Sequence, residues 1–203
     1  AGYQQRVVNG PDCWSEANPN PNPAGTCFIG ICQTWAITPP SFGEIHNAST
    51  FAQWFTDVPG VNETIEDELV LVEDPPGSGI QVYDSNAFFP IDGRGFGNTA
   101  GQQHNYHFTT EIHVQFTYVA GQKFTFRGDD DLWIFVNGKL ALDVGGLHQA
   151  LTGTIDFDLQ AAELGIEPGK SYPMAIFHAE RQTDASNFRI ETNIKCFEPV
   201  VVR

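Results

Sequence analysis

The chain has 203 residues, 41% hydrophobic and 12% aromatic, which is enough for a sizeable core in one large domain. Acids outnumber bases 25 to 10, for a formal net charge of −15. That balance repels phosphate backbones and anionic lipid, excluding nucleic acid and acidic membranes as natural partners; it suits surroundings rich in divalent cations, and solubility alone would also explain it.

Residues 1–45 read as an irregular extension, since in Asn18-Pro19-Asn20-Pro21-Asn22-Pro23 every second residue lacks an amide donor. A short helix is expected over 49–56, with Ser49 as cap and Phe51, Trp54 and Phe55 as its apolar face. A loop over 57–67 and a strand over 68–72 follow, the strand broken at Asp74-Pro75-Pro76-Gly77. From residue 80 the pattern turns to β. Phe108, Thr110, Ile112, Val114, Phe116 and Tyr118 alternate with polar residues, the mark of a long half-buried strand. Phe124 and Phe126 point inward from a strand over 123–127. Strands over 132–136 and 139–143 flank Asn137-Gly138, whose tolerance of positive φ predicts a type I′ hairpin. A strand over 154–159 is expected to bury Ile155, Phe157 and Leu159, before a turn of helix at 160–164 stopped by Gly165. Strands over 172–178 and 188–194 complete the set. Many short strands with regular turns give an all-β protein, an antiparallel sandwich or barrel with short helices and long loops. Residues 46–203 read as one such domain, with 1–45 packed on it.

No stretch approaches the roughly 18 apolar residues of a membrane-spanning helix, so direct membrane insertion is not expected. No basic-then-apolar signal opens the chain, which reads as a mature or excised domain. Four cysteines, Cys13, Cys27, Cys32 and Cys196, suit two disulfides in an oxidising compartment. They allow three pairings, each tying the ends together, and sequence does not choose among them; a local Cys27–Cys32 bridge with Cys13–Cys196 is preferred. Their spacing does not suit zinc. Asn47-Ala48-Ser49 and Asn62-Glu63-Thr64 match the N-glycan acceptor pattern.

The feature that carries chemistry is Gly128-Asp129-Asp130-Asp131, between two hydrophobic strands. Adjacent carboxylates repel one another unless donors or a cation offset them. Two readings stand: a solvated acidic turn, or a calcium site, since calcium takes six to eight oxygen ligands in irregular geometry. An EF-hand is excluded, because it would need an oxygen ligand at Trp133 and a glycine at Ile134. Two loops hold further oxygen donors: Asp143 to His148, and Ala179 to Phe188 with Asn187. His104, His107 and His113 do not share a helical face as a zinc set would, and Gly93–Gly97 lacks the Lys-Ser/Thr pair of a phosphate loop. No carboxylate pair stands out as a glycosidase centre, so the chain reads as non-catalytic.

The run from Phe124 to Leu140 (FTFRGDDDLWIFVNGKL) resembles the fibro-slime domain, a branch of the PA14 superfamily. Asn86–Gly93, His104–Ile112, Ala179-Glu180-Arg181 leading to Ser186–Ile190, and Phe51–Val61 match in the same order. The resemblance implies a PA14-like β-sandwich on a secreted or surface-anchored protein. It implies that Asp129 and Asp130, joined by a cis peptide, hold a calcium ion, with Asn187 and the preceding loop, Ser186 included, as the second set of ligands. Asp131 stands where many relatives carry a small residue, which leaves open which two of the three aspartates bind metal. The implied activity is calcium-dependent binding of a glycan through vicinal hydroxyls, for cell adhesion, with Gln182, Thr183, Asp184 and His148 choosing among sugars. The alternatives are a receptor for another cell-surface protein, with calcium structural, and a spacer in an extracellular matrix.

Overall fold

A computed structural model describes residues 47–200. The expected extension over 1–45 therefore lies outside the described residues, as do Cys13, Cys27 and Cys32; Cys196 is exposed. The chain divides into two compact units, 1–64 and 65–203.

In the first unit, helix α1 (Ala48–Phe51) makes a single turn, shorter than expected. Asn47, not Ser49, caps it: its Oδ1 accepts the Thr50 amide at 2.9 Å, and the Ser49 hydroxyl donates to the same oxygen at 2.6 Å. The next amides fall back on carbonyls three residues behind, Gln53 on Thr50 and Trp54 on Phe51. Asn62 then draws the chain into a closed loop. Its Nδ2 donates to Gln53 O (2.6 Å) and Thr56 O (2.7 Å), while its Oδ1 accepts the Val58 amide at 2.8 Å. Those carbonyls face Asn62, which ends the helix where a periodic apolar face would have continued it.

The second unit is an antiparallel sandwich. One sheet runs in the order β1 (Val72–Glu73), β2 (Gln81–Ser85), β9 (Phe188–Thr192), β4 (Lys123–Gly128), β7 (Leu151–Asp156). The other runs β10 (Glu198–Pro199), β3 (Phe108–Thr117), β8 (Ser171–Glu180), β5 (Asp131–Val136), β6 (Lys139–Val144). Ten residue pairs from Phe108↔Glu180 to Thr117↔Ser171 make β3–β8 the longest ladder. The hairpin turn between β5 and β6 has φ of 51° at Asn137 and 72° at Gly138, as the Asn-Gly pair requires.

Two expected strands change. Of 68–72, only Val72 joins a ladder; Leu69 and Leu71 pack on the core while Val70 is exposed, so the alternation reflects burial without pairing. The strand expected over 154–159 stops at Asp156, whose Oδ1 accepts the Leu159 amide at 3.2 Å and caps helix α2 (Phe157–Leu164). Phe157 is buried as expected, but Leu159 is 83% exposed. Gly165 ends α2 with φ of 70°. No helix among the described residues is long and apolar enough to cross a membrane.

The inner faces meet in an aromatic layer at one end of the sandwich. Phe188 stacks on Phe88 at 4.3 Å and meets Phe126 edge-on at 5.1 Å. Four connections pass from sheet to sheet at this end: 86–107, 129–130, 145–150 and 181–187. Register gathers them, since Gly128 pairs with both Phe188 and Leu151, Ser85 with Phe188, Asp131 with Ala179, and Leu132 with Val144. Phe188 is fully buried in this layer. Phe188→Ala is expected to lower unfolding free energy by about 3–5 kcal/mol in denaturant titration, whereas Leu159→Ala on the exposed face of α2 changes it by less than about 0.5 kcal/mol.

Candidate functional site

Gly128 ends β4 and Asp131 begins β5, so Asp129 and Asp130 form the whole crossover between the sheets. Their peptide bond is cis. All three carboxylates are buried, with 6%, 3% and 1% of the residue exposed in chain order, which rules out a solvated turn. Buried carboxylates need donors, and each aspartate takes them from a different part of the fold.

Asp129 holds the 181–187 loop. Its Oδ1 accepts the Asn187 amide and its Oδ2 accepts Asn187 Nδ2, both at 2.6 Å, while its own amide donates to Asn187 O at 3.3 Å. Asp130 Oδ2 accepts the Arg181 amide at 3.2 Å, and its carboxylate also faces the amide of His148. Asp131 points inward. Its Oδ1 accepts the Gly146 amide at 2.5 Å, and its Oδ2 pairs with Arg181 Nε at 2.5 Å, an ion pair that is nearly solvent-free. The triplet therefore ties together three loops. Asp131 looks away from water, toward the 145–150 loop and Arg181.

Gly128 makes this closeness possible. A methyl group on it would strike Asn187 O and lie 2.5 Å from Phe126 Cζ. Gly128→Ala should therefore displace the 181–187 loop and lower stability by about 1–3 kcal/mol or more, read as a fall in melting temperature and weakened amide-exchange protection of Asn187.

Three residues at the site have no individual role in the sequence reading: His178, and Glu180 and Arg181 within the oxygen-rich 179–188 loop. Met174, Ile176, His178 and Glu180 occupy the inward-facing positions of β8, so the row turns from apolar to ionisable where it reaches the triplet. Two ionisable residues on the inward parity of a strand were the legible signal. His178 is fully buried among Phe88, Phe108, Phe126 and Phe188, and this burial lowers its pKa to about 4. The ring is neutral, and Nε2 carries the hydrogen because its partner at 3.1 Å, the Asp129 carbonyl, can only accept. Glu180 Oε1 accepts the Gln182 amide at 3.1 Å; Oε2 is buried without a well-formed hydrogen bond. Burial pushes the Glu180 carboxyl up to about 8; the nearby Ser186 hydroxyl pulls the other way, though its hydrogen goes to Phe88 O at 2.8 Å. Burial, then the Asp131 charge, pushes Asp130 up to about 6, while Arg181 opposes the rise. Burial also raises Asp131 against the pull of Arg181.

The other predicted residues fall as follows. Ser186 is buried and bound to Phe88 through its hydroxyl and its carbonyl. Gln182, Thr183 and Asp184 are exposed on the 181–187 loop. His148 is half-buried, its ring facing the carbonyls of Gln149 and Val144, both at 3.0 Å. His104 lies apart, stacked on Phe89 at 3.9 Å and paired with Asp92 at 2.5 Å. His113 contacts Glu111 on the outer face of β3. Among the described residues no three His, Cys, Asp or Glu side chains converge as a metal cluster.

Residues 97–196 match the PA14 domain family. That span holds the whole triplet, Glu180, Arg181 and Asn187, and the two-sheet antiparallel sandwich agrees with it. The curated proteins to which the chain is similar include three from Dictyostelium discoideum. Protein psiC is 43% identical over 164 residues, covering 76% of this chain and 31% of that protein. Protein psiD is 39% identical over 202 residues, 95% of this chain and 37% of the relative. Protein psiR is 39% identical over 166 residues, 75% of this chain and 16% of the relative. The chain thus spans about a third or less of the length of these relatives.

The protonated state of Glu180 sets a pH dependence. The folded protein holds this proton up to about pH 8, whereas the unfolded chain releases it near the ordinary value of 4.5. The folded state binds more protons across that window, so stability falls as pH rises. Asp130 acts in the same sense below about 6. His178 acts oppositely, since its lowered pKa removes stability as pH falls from 6.5 toward 4. Above pH 6.5 Glu180 still acts, and Asp131, raised by burial, acts in the same sense. In chelator, stability should fall between pH 6.5 and 8 with a slope approaching about 1.4 kcal/mol per unit; Glu180→Gln should flatten it in thermal melts.

Proposed function

We propose that this chain is a calcium-dependent carbohydrate-binding module of a secreted or cell-surface protein that mediates adhesion. The observation that carries the reading is the buried Asp129-Asp130 crossover with Asn187 clasped against it by two bonds of 2.6 Å. These groups are hard oxygen donors, the kind calcium prefers over zinc. Two aspartates with an amide and main-chain carbonyls would fit such an ion without a three-carboxylate cluster. Three buried aspartates, Asp129, Asp130 and Asp131, share one nearby guanidinium, Arg181, whose Nε is spent on Asp131. That surplus of buried negative charge favours an added cation. Asp129, Asp130 and Asn187 would hold it; Asp131 serves as the anchor of the 145–150 loop, and the Ser186 side chain is committed to Phe88.

Calcium, when bound, supplies open coordination places for two adjacent sugar hydroxyls. Asp129 and Asp130 supply the charge, Asn187 stays oriented by Asp129, and the buried wall of His178 and Phe188 keeps bulk water from behind the pair. Gln182, Thr183 and Asp184 stand exposed on the loop that carries Asn187, placed to contact the rest of the glycan. Such contacts give about micromolar to millimolar affinity, which many copies on a surface multiply. The cysteine content and the PA14 match support an extracellular setting; adhesion needs no catalytic group.

Asp129→Ala and Asp130→Ala should each abolish calcium binding in titration calorimetry and glycan capture on a vicinal-diol sugar array. Glycan capture that survives excess chelator sinks the reading. Calcium binding with no glycan capture, alongside concentration-dependent self-association, would move it to protein recognition.

A further inference from the structure

The two N-glycan acceptor patterns, at Asn47 and Asn62, lie in the first unit, and the structure treats them oppositely. Asn47 is exposed. Its role in the fold uses only the carbonyl end of its amide: Oδ1 accepts from Thr50 N at 2.9 Å and from the Ser49 hydroxyl at 2.6 Å. Capping makes no demand on Nδ2. Asn62 is half-buried and uses the whole amide: both Nδ2 hydrogens are spent, on Gln53 O at 2.6 Å and Thr56 O at 2.7 Å, and Oδ1 is spent on Val58 N at 2.8 Å. The Thr64 hydroxyl, which completes its acceptor pattern, is turned to Asp57 Oδ1.

We infer that Asn47 is an N-glycan attachment site in a eukaryotic secretory pathway, and that Asn62 is a structural staple that stays unmodified in the folded protein. In the transfer, Nδ2 attacks the anomeric carbon of a lipid-pyrophosphate-linked oligosaccharide. A C–N bond forms, the anomeric C–O bond breaks with its electron pair leaving on the lipid pyrophosphate, and Nδ2 gives up one hydrogen as a proton. The product amide keeps one N–H. At Asn47 the cap survives, because Oδ1 is untouched and the residue is exposed. At Asn62 a sugar carbon would replace a hydrogen that lies against a carbonyl oxygen, so the loop over 53–62 could not close. A chain glycosylated there before folding would lack one of the two Nδ2 hydrogens that hold the loop.

The test is secretion of the full chain from a eukaryotic host, with glycopeptide mass spectrometry on the secreted, folded fraction. Glycan on Asn47 and unmodified Asn62 is the expected result. Two variants separate the sites without touching either asparagine: Ser49→Ala keeps the Asn47–Thr50 cap, and Thr64→Ala keeps the Asn62 bonds. Ser49→Ala should abolish the glycosidase-sensitive shift in gel mobility, and Thr64→Ala should leave it unchanged. Glycan on Asn62 in folded protein, an unmodified Asn47, or a shift that survives Ser49→Ala overturns the inference; the wild-type glycopeptides decide it even if a variant fails to fold.

Discussion

Three adjacent carboxylates cannot be buried unless something meets each of them, and the crossover end of this sandwich is arranged around that demand. Asp129 is met by Asn187, Asp130 by the amides of Arg181 and His148, and Asp131 by Gly146 and the Arg181 guanidinium. Each partner belongs to a loop that must cross from one sheet to the other, so satisfying the charges also fixes the loops. Arg181 offsets one negative charge, and burial favours the protonated form at Glu180 and Asp130.

Antiparallel topology brings these groups together. β4 lies beside β9, and β5 beside β8, so the 129–130 and 181–187 crossovers run side by side. Beneath them the rings of Phe88, Phe126 and Phe188 close the interior and surround His178. A neutral, buried imidazole that donates to the Asp129 carbonyl satisfies that backbone oxygen without adding charge. A low-polarity floor under an acidic rim strengthens any charge interaction made there.

Much of the sandwich is legible in the chain because a half-buried strand must alternate. The period-two row from Phe108 to Phe116, the paired Phe124 and Phe126, and the Asn137-Gly138 turn all lie where such patterning puts them. Errors arose where one pattern serves two structures. Ile155 and Phe157 alternate as in a strand, yet Asp156 caps a helix and turns Leu159 outward. Leu69 and Leu71 alternate as in a strand without a ladder to join. Ser49 resembles a cap, but Asn47 reaches the Thr50 amide first.

The sequence by itself determined the β periodicity, the acid excess, and the place of the aspartate triplet between two apolar strands. Local composition is enough for these, because burial on a pleated strand and repulsion between neighbouring carboxylates act within a few residues. Only the tertiary structure decided which way each carboxylate faces. It turned Asp131 inward to Arg181 and Gly146, set Asn187 against Asp129, and added His178 and Glu180 to the same end of the sandwich. Those choices depend on strand register and on which loops cross together, and charge in a buried site is set by partners that are distant in the chain.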